Sequence, residues 1–390
     1  MFWPLMKDCI TSEDKDAMID FIKNTNRFTN GPKVRELETK WSKWLGCKYS
    51  LFVSSGSTAN LLLVASIMEK YNLKKGDKIV VPSITWVTNI SPIIQLGLQP
   101  VFCDIDPYTF SFDLDSLKNI ADDNDIKGVF VTHLFGISAD IDAYKAILPK
   151  AIFIEDVCES HGATYKGKKC GTLSEGSTFS SYFGHHMTTV EGGFVCTNDE
   201  DLFNIMKIKR SHGMAREASA DKFEYYKNRY PNVHEQFLFV TDGYNFRSME
   251  INAVLGLSQL ERLSINNTIR KINFSKFITL VKKYPNLLES NYKEEGNSSF
   301  CLPFICLNSS IKSSLEKYLN INGVETRPLC SGNLIRQPFL QKIFPNLNPK
   351  DFPKAENLHN NGFFIGNNHL ILEEDWKKLE NILKSYNNEK

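Results

Sequence analysis

The sequence predicts an α/β protein built on a mainly parallel sheet, with a smaller α+β unit at its carboxyl end. Two observations carry this reading. From about residue 50 to 200, short apolar runs alternate with helical patterns, the rhythm of consecutive βα units. Near residue 250, an apolar stretch at helical spacing gives way to lysine- and asparagine-rich sequence. The 390 residues suffice for two or three domains at about 150 residues each. Two are expected, residues 1–250 and 251–390, and no internal repeat is visible.

Taken in order, Ser57-Thr58-Ala59-Asn60 opens a run of strong helix formers ending near Met68 and reads as a helix start, able to supply an anion site. Ile79-Val80-Val81-Pro82, Pro100-Val101-Phe102-Cys103-Asp104, Gly128-Val129-Phe130-Val131 and Ala151-Ile152-Phe153-Ile154-Glu155-Asp156 each read as a buried strand ended by a polar or turn residue. Functional groups are expected at those carboxyl ends. Glu250 to Leu260 is helical by spacing, Phe300 to Cys306 is β-like, and Ser309 to Asn322 is helix-like.

Composition excludes several classes. The net charge of +1 comes from 46 basic and 45 acidic residues without a long run of either sign, so nucleic-acid binding has no electrostatic support. No apolar run of membrane length occurs, and Met1 to Asp8 lacks a basic region followed by an apolar stretch. A cytosolic protein without membrane contact is expected. The nine cysteines include no C-x-x-C pair, so no metal site is expected and reduced, mostly buried thiols are.

Two segments carry candidate chemistry. Ser54-Ser55-Gly56-Ser57-Thr58 lies between an apolar strand and a helix, where N–H groups and hydroxyls can converge on a phosphate. Read alone, it is equally a serine-rich turn that caps the helix. Glu155-Asp156-Val157-Cys158-Glu159 places acids at the end of a buried strand, which is costly unless something charged meets them; an acid capping the next helix is the alternative.

Phe179-Ser180-Ser181-Tyr182-Phe183-Gly184-His185-His186-Met187-Thr188-Thr189-Val190-Glu191-Gly192-Gly193 resembles the cofactor-lysine motif F-S-F-x-x-x-K-x-L-T-T-x-E-G-G of the DegT/DnrJ/EryC1/StrS family of sugar-modifying, pyridoxal-phosphate-dependent aminotransferases. Thr29-Asn30-Gly31-Pro32, His133-Leu134-Phe135-Gly136, Arg210-Ser211-His212-Gly213 and Gly243-Tyr244-Asn245 follow the family's order and spacing. The resemblance implies the type I aminotransferase fold and a homodimer with shared active sites. It assigns Asp156 to the pyridine nitrogen of the cofactor and Glu159 to the neighbourhood of the ring hydroxyl. Trp86 falls at the stacking position; Gly56, Ser57 and Ser180 fall at the phosphate. Asn245 matches an asparagine that reaches the phosphate of the neighbouring subunit.

Where the family has its lysine, this chain has His185. The lysine has two tasks, covalent attachment of the cofactor and proton transfer, and imidazole can do only the second. With an ordinary pKa of about 6.5 it serves as a base near neutrality. His186 adjoins it and competes for the role, but counting back from Thr188-Thr189 aligns His185 with the lysine. Members with this exchange are deoxygenating dehydratases in two groups. One couples elimination to an iron–sulfur cluster through a closely spaced cysteine pair, which Cys301, Cys306 and Cys330 do not provide. The resemblance is to the cluster-free group. It implies a lyase that uses pyridoxal and pyridoxamine 5′-phosphate to remove the C3 hydroxyl of a nucleotide-linked 4-keto-6-deoxyhexose, expected to be GDP-4-keto-6-deoxy-D-mannose, as in colitose-type dideoxysugar synthesis. L-Glutamate is the expected amino donor. His212, Arg216 and Arg327 are candidates for the diphosphate or sugar, or equally surface ion-pair partners.

Overall fold

The computed structural model describes residues 1–122 and 125–389. The large sheet has seven strands: β1 Tyr49–Val53, β2 Lys78–Pro82, β3 Gln99–Cys103, β4 Ile126–Thr132, β5 Ile152–Asp156, β6 Gly176–Ser180 and β7 Gly193–Thr197. Their spatial order is β1-β7-β6-β5-β4-β2-β3. Strands β6, β5, β4, β2 and β3 pair in parallel, while β7 runs against both β6 and β1. The four strands read from sequence all appear, each within about two residues of its expected bounds. Their near-continuous apolar character follows from burial on both faces.

The helix Gly56–Lys70 is apolar almost all round and buries Leu62, Leu63, Val64 and Ile67 against one face of the sheet. The helices Leu114–Ala121 and Ile141–Ile147 belong to a second apolar cluster that includes Val80, Val129, Val131 and Phe153. Because Thr132, Asp156 and Thr178 are direct partners across β4, β5 and β6, their side chains stand in one row at the carboxyl end of the sheet.

The helix expected at Glu250 continues without a break to Val281, spanning 32 residues. Its first half packs on the helices Ser12–Asn24 and Pro32–Leu45, and its second half gives Phe274, Phe277, Ile278 and Val281 to a core shared with the smaller unit. A division at residue 250 therefore falls at the first residue of a helix that belongs to both layers. The smaller unit contains an antiparallel sheet of β8 Cys301–Ile305, β9 Thr326–Pro328 and β10 Gly362–Gly366, with β10 central. The first residues of the chain also pack here: Trp3 donates through Nε1 to the Gly366 carbonyl at 2.8 Å and meets the Trp376 ring edge-on at 5.1 Å.

Glu250 ties these layers together. Its carboxylate, 2% exposed, accepts the N–H groups of Gly31 at 2.7 Å and of Lys33 and Val34 at 2.9 Å. It thus caps the helix Pro32–Leu45, whose own preceding residue, Gly31, offers no side-chain cap. Glu250→Ala leaves three N–H donors without that acceptor and is expected to cost about 3 kcal/mol, read as a lowered urea midpoint. A shift worth less than about 0.5 kcal/mol would show that water replaces the carboxylate without loss.

Candidate active site

A cavity of about 480 Å³ opens at the carboxyl ends of the parallel strands and is closed on its other side by β10 and the amino-terminal segment. Its volume suits a cofactor-sized ligand. His185, Asp156, Glu159 and Ser180 line it, as do Gly56, Ser57, Trp86 and Arg327.

The serine-rich turn is both things the sequence allowed. Ser55 caps the helix Gly56–Lys70 in a reciprocal box: its Oγ accepts the Thr58 N–H at 3.1 Å, and the Thr58 hydroxyl accepts the Ser55 N–H at 3.0 Å. With those donors satisfied, the N–H groups of Gly56 and Ser57 remain for an anion at the positive end of the helix. Gly56 is required by packing, since a Cβ there would stand 2.6 Å from the Ser180 Cβ. Gly193 serves the same turn; its added Cβ would meet the Ser55 carbonyl oxygen at 2.5 Å.

Asp156 is 4% exposed and is met by three donors. Its Oδ2 accepts from Asn60 Nδ2 and from Asn89 Nδ2, each at 2.9 Å, and its Oδ1 accepts the Cys158 N–H at 2.8 Å. The asparagines are themselves fixed: Asn60 Oδ1 accepts from the Thr178 hydroxyl, and Asn89 Oδ1 accepts from the Thr85 hydroxyl, both at 2.5 Å. Neither asparagine was picked out from sequence. Asn60 is a polar residue on the buried face of an apolar helix, which was its one available signal; Asn89 offered none.

The two histidines separate clearly. His186 is 2% exposed, and its Nε2 donates to the Ser298 carbonyl at 3.1 Å. His185 is partly exposed on the cavity wall, its Nδ1 has no partner, and its ring lies 5.3 Å from Phe300. Burial and the nearby Arg270 cation push His185 down to about 4, so its ring is neutral at physiological pH. Glu159 accepts the Phe135 N–H at 3.2 Å. Burial raises its carboxyl to about 7, the Phe135 N–H opposing and the Asp156 charge adding.

Arg327 stands exposed at the cavity rim and makes no ion pair among the described residues. Trp86 is 55% exposed, leaving much of its ring uncovered. Asn245, His212 and Arg216 are not part of the cavity wall. Asn245 and His212 are exposed and joined through Arg247, which donates to Asn245 Oδ1 at 2.9 Å and lies 3.3 Å from His212 Nε2. Arg216 donates to the Gln236 carbonyl at 3.1 Å. Sequence reasoning also missed Arg270, Phe300, the segment Asn367 to His369, and Leu5, Met6, Lys7 and Cys9, all of which line the cavity.

A model of the DegT/DnrJ/EryC1/StrS aminotransferase family matches residues 8–384. The chain belongs to this family. GDP-4-keto-6-deoxy-D-mannose 3-dehydratase of Yersinia pseudotuberculosis is 37% identical over 399 residues, covering 98% of each chain. The Escherichia coli GDP-4-keto-6-deoxy-D-mannose-3-dehydratase with bound hydrated PLP superposes with a TM-score of 0.89 at 34% identity, over 98% of this chain and 99% of the other. A crystal structure of GDP-4-keto-6-deoxymannose-3-dehydratase with a trapped PLP–glutamate geminal diamine gives a TM-score of 0.88 at 33% identity, over 98% of this chain and all of the other. The fold is that of the pyridoxal-phosphate-dependent aminotransferases, as expected.

The donors fit such a cofactor: free N–H groups at a helix start for a phosphate, a clamped carboxylate for a ring nitrogen, and an open indole face for a ring. No cluster of metal ligands occurs among the described residues.

Glu159 gives the apoprotein a pH signature. Its folded pKa of about 7 lies above the ordinary 4.5, so the folded chain keeps a proton that the unfolded chain releases. Stability contributed by that proton is complete below pH 4.5 and is lost as pH rises through 7. Glu159→Gln removes this loss. Its melting temperature should therefore gain on the natural protein's steadily between pH 5 and 7.5; a constant difference across that range would place the titration elsewhere.

Proposed function

We propose that this protein is a 3-dehydratase of a nucleotide-linked 4-keto-6-deoxyhexose, with GDP-4-keto-6-deoxy-D-mannose the substrate and L-glutamate the amino donor. The observation that carries this reading is His185 on the cavity wall beside Ser180, with no lysine in its place. Lys7 is the one lysine among the described residues of that wall, and its Nζ is engaged by Asp375 at 3.4 Å and the Leu370 carbonyl at 3.1 Å. Lys166, Lys168 and Lys169 do not reach the cavity: Lys166 pairs with Asp142 at 2.6 Å, and Lys169 lies over the Trp44 ring. An aminotransferase, which needs a lysine for covalent attachment, has no residue here to make it.

Pyridoxamine phosphate, when bound, supplies an amine for the sugar's C4 ketone and a ring that accepts an electron pair. Gly56, Ser57 and Ser180 would hold its phosphate, and Asp156, kept in place by Asn60 and Asn89, would keep its ring nitrogen protonated. Glu159, with a carboxyl poised near 7, would share a proton with the ring hydroxyl. His185, uncharged and unbonded, would take a proton from the C4′ carbon, and the C3 hydroxyl would be lost as water. Since His185 forms no covalent link to carbonyl carbon, retention of the cofactor rests on these non-covalent contacts.

The finer reading includes a homodimer. Phe237, Phe239 and Met249 are more than half exposed, and the bridges Met214–Phe239 and Ser211–Asn245 bring Phe239 and Asn245 to the segment that carries His212, apolar surface that a second copy would cover. Asn245 would then serve the phosphate of the neighbouring subunit. Nine free thiols accord with a reducing, cytosolic setting, and the product would be of the colitose type.

Incubation with cofactor, glutamate and GDP-4-keto-6-deoxymannose should produce a sugar lighter by one oxygen atom on mass spectrometry, the C3 hydroxyl having left as water and hydrolysis having restored the C4 ketone, with the amine released as ammonia and glutamate converted to its 2-oxo acid. His185→Asn should lower turnover by at least ~100-fold, the scale of a lost general base, with cofactor binding preserved. Turnover within tenfold of the natural protein would assign the proton transfer to His186. Borohydride treatment of the pyridoxal form should leave no cofactor–lysine adduct; such an adduct would restore the aminotransferase reading.

A further inference from the structure

Arg270, on the long helix Glu250–Val281, is 5% exposed and lines the cavity. Its Nη1 donates to the carbonyls of Phe300, at 3.2 Å, and Asn367. Its Nε has no partner, and no carboxylate pairs with it among the described residues. A buried guanidinium without a counter-charge is costly, and burial draws its pKa down to about 10. Asn368 is 6% exposed on the same wall and is also incompletely used. Its Oδ1 accepts the Leu370 N–H and its carbonyl accepts from Asn273, each at 2.9 Å, yet its Nδ2 is unpartnered. Of the other two cations on this wall, Lys7 is already committed to Asp375, and Arg327 stands exposed at the rim.

We propose that Arg270, assisted by Asn368, binds the α-carboxylate of the amino-acid donor and thereby selects amino acids for the half-reaction that restores the amine form of the cofactor. The proposal rests on the dehydratase reading above. A guanidinium with free N–H groups is matched to a planar carboxylate. The reaction brings two anions to the cavity, the donor's carboxylate and the substrate's diphosphate, and their chemistry places them differently. In the donor half-reaction His185 must take the proton from Cα, and the α-carboxylate is one bond from that carbon. Its binding group must therefore stand on the same stretch of wall as His185, and Arg270 does: it donates to the Phe300 carbonyl, and the Phe300 ring lies 5.3 Å from the His185 ring. The diphosphate is separated from the sugar's C3 and C4 by the width of the ring and belongs toward the mouth, where Arg327 is exposed and unpaired.

The test follows amination of the pyridoxal form by its absorbance change, with L-glutamate, L-isoglutamine (α-carboxamide) and L-glutamine (γ-carboxamide) as probes. The natural protein should discriminate against L-isoglutamine at least tenfold. Arg270→Gln should raise the half-saturating glutamate concentration at least tenfold and abolish that discrimination. Arg270→Lys, which keeps the charge without the fork, should fall between and carries the test if Arg270→Gln does not fold. Single-turnover dehydration with the pyridoxamine form gives the nucleotide-sugar half-saturation of each variant, which should move far less than that for glutamate. An unchanged glutamate dependence, or equal use of L-isoglutamine by the natural protein, overturns the proposal. So does a rise for the nucleotide sugar that matches the rise for glutamate, since Arg270 would then serve the diphosphate. Amination that depends on Arg270 in a protein unable to release water from the sugar would instead overturn the dehydratase reading and leave this one standing.

Discussion

The site depends on a single buried carboxylate held still. Asp156 ends the central strand β5, where removing polar oxygens from water is costly unless donors meet them. Three donors offset that cost, two of them side-chain amides that arrive from different parts of the chain: Asn60 from the helix after β1 and Asn89 from the turn after β2. Each amide is oriented by a hydroxyl, Thr178 on β6 for Asn60 and Thr85 for Asn89, and Thr85 in turn touches Thr132 on β4 at 3.0 Å. The network therefore ties the carboxyl ends of three adjacent strands to the two segments that frame the cavity. Because each amide oxygen is occupied by a hydroxyl, each Nδ2 must face the aspartate. A carboxylate fixed in this way presents its remaining lone pairs at one place, as pre-organised recognition of a ring nitrogen requires.

The phosphate end is built on the same economy of donors. A helix start offers four N–H groups, and two residues decide how many remain. Ser55 and Thr58 satisfy each other, which rigidifies the turn and leaves Gly56 and Ser57 facing the cavity. The close approach of Ser180 depends on the missing side chain at Gly56. The glycine is thus explained by steric contact between two cavity walls, and the anion site is a consequence of that contact.

Much of this was legible in the sequence, because short apolar runs ending in polar residues specify parallel strands and point to their carboxyl ends. Asp156, Glu159, Ser180 and His185 all line one cavity at those carboxyl ends. What was not legible is what long-range packing supplies. Asn89 and Arg270 follow no local pattern, since their partners lie 67 and 97 residues away in the chain. The continuation of the long helix past Leu260 was hidden by its polar composition; Asn267, Arg270 and Asn273 are buried there because loops of the smaller unit and of the large sheet accept their hydrogen bonds. Asn245, His212 and Arg216 look in sequence like members of one site, yet within one chain all three are exposed and outside the cavity, with Asn245 and His212 joined through Arg247 and Arg216 bonded to the Gln236 carbonyl.

The electrostatics of the cavity bear on why histidine is tolerated at position 185 at all. Burial and the Arg270 cation both disfavour a positive charge there. A lysine in the same place would meet the same two influences, and both would favour its uncharged amine, the form that attaches to a carbonyl carbon. The surroundings thus serve either residue in the same sense, by keeping a nitrogen lone pair available. On the proposed reading, the exchange of lysine for histidine leaves proton transfer in the same surroundings and removes only the covalent link. A reaction that needs a detachable amine and a base, with no tether between them, can therefore arise at this position without rebuilding the charges around it.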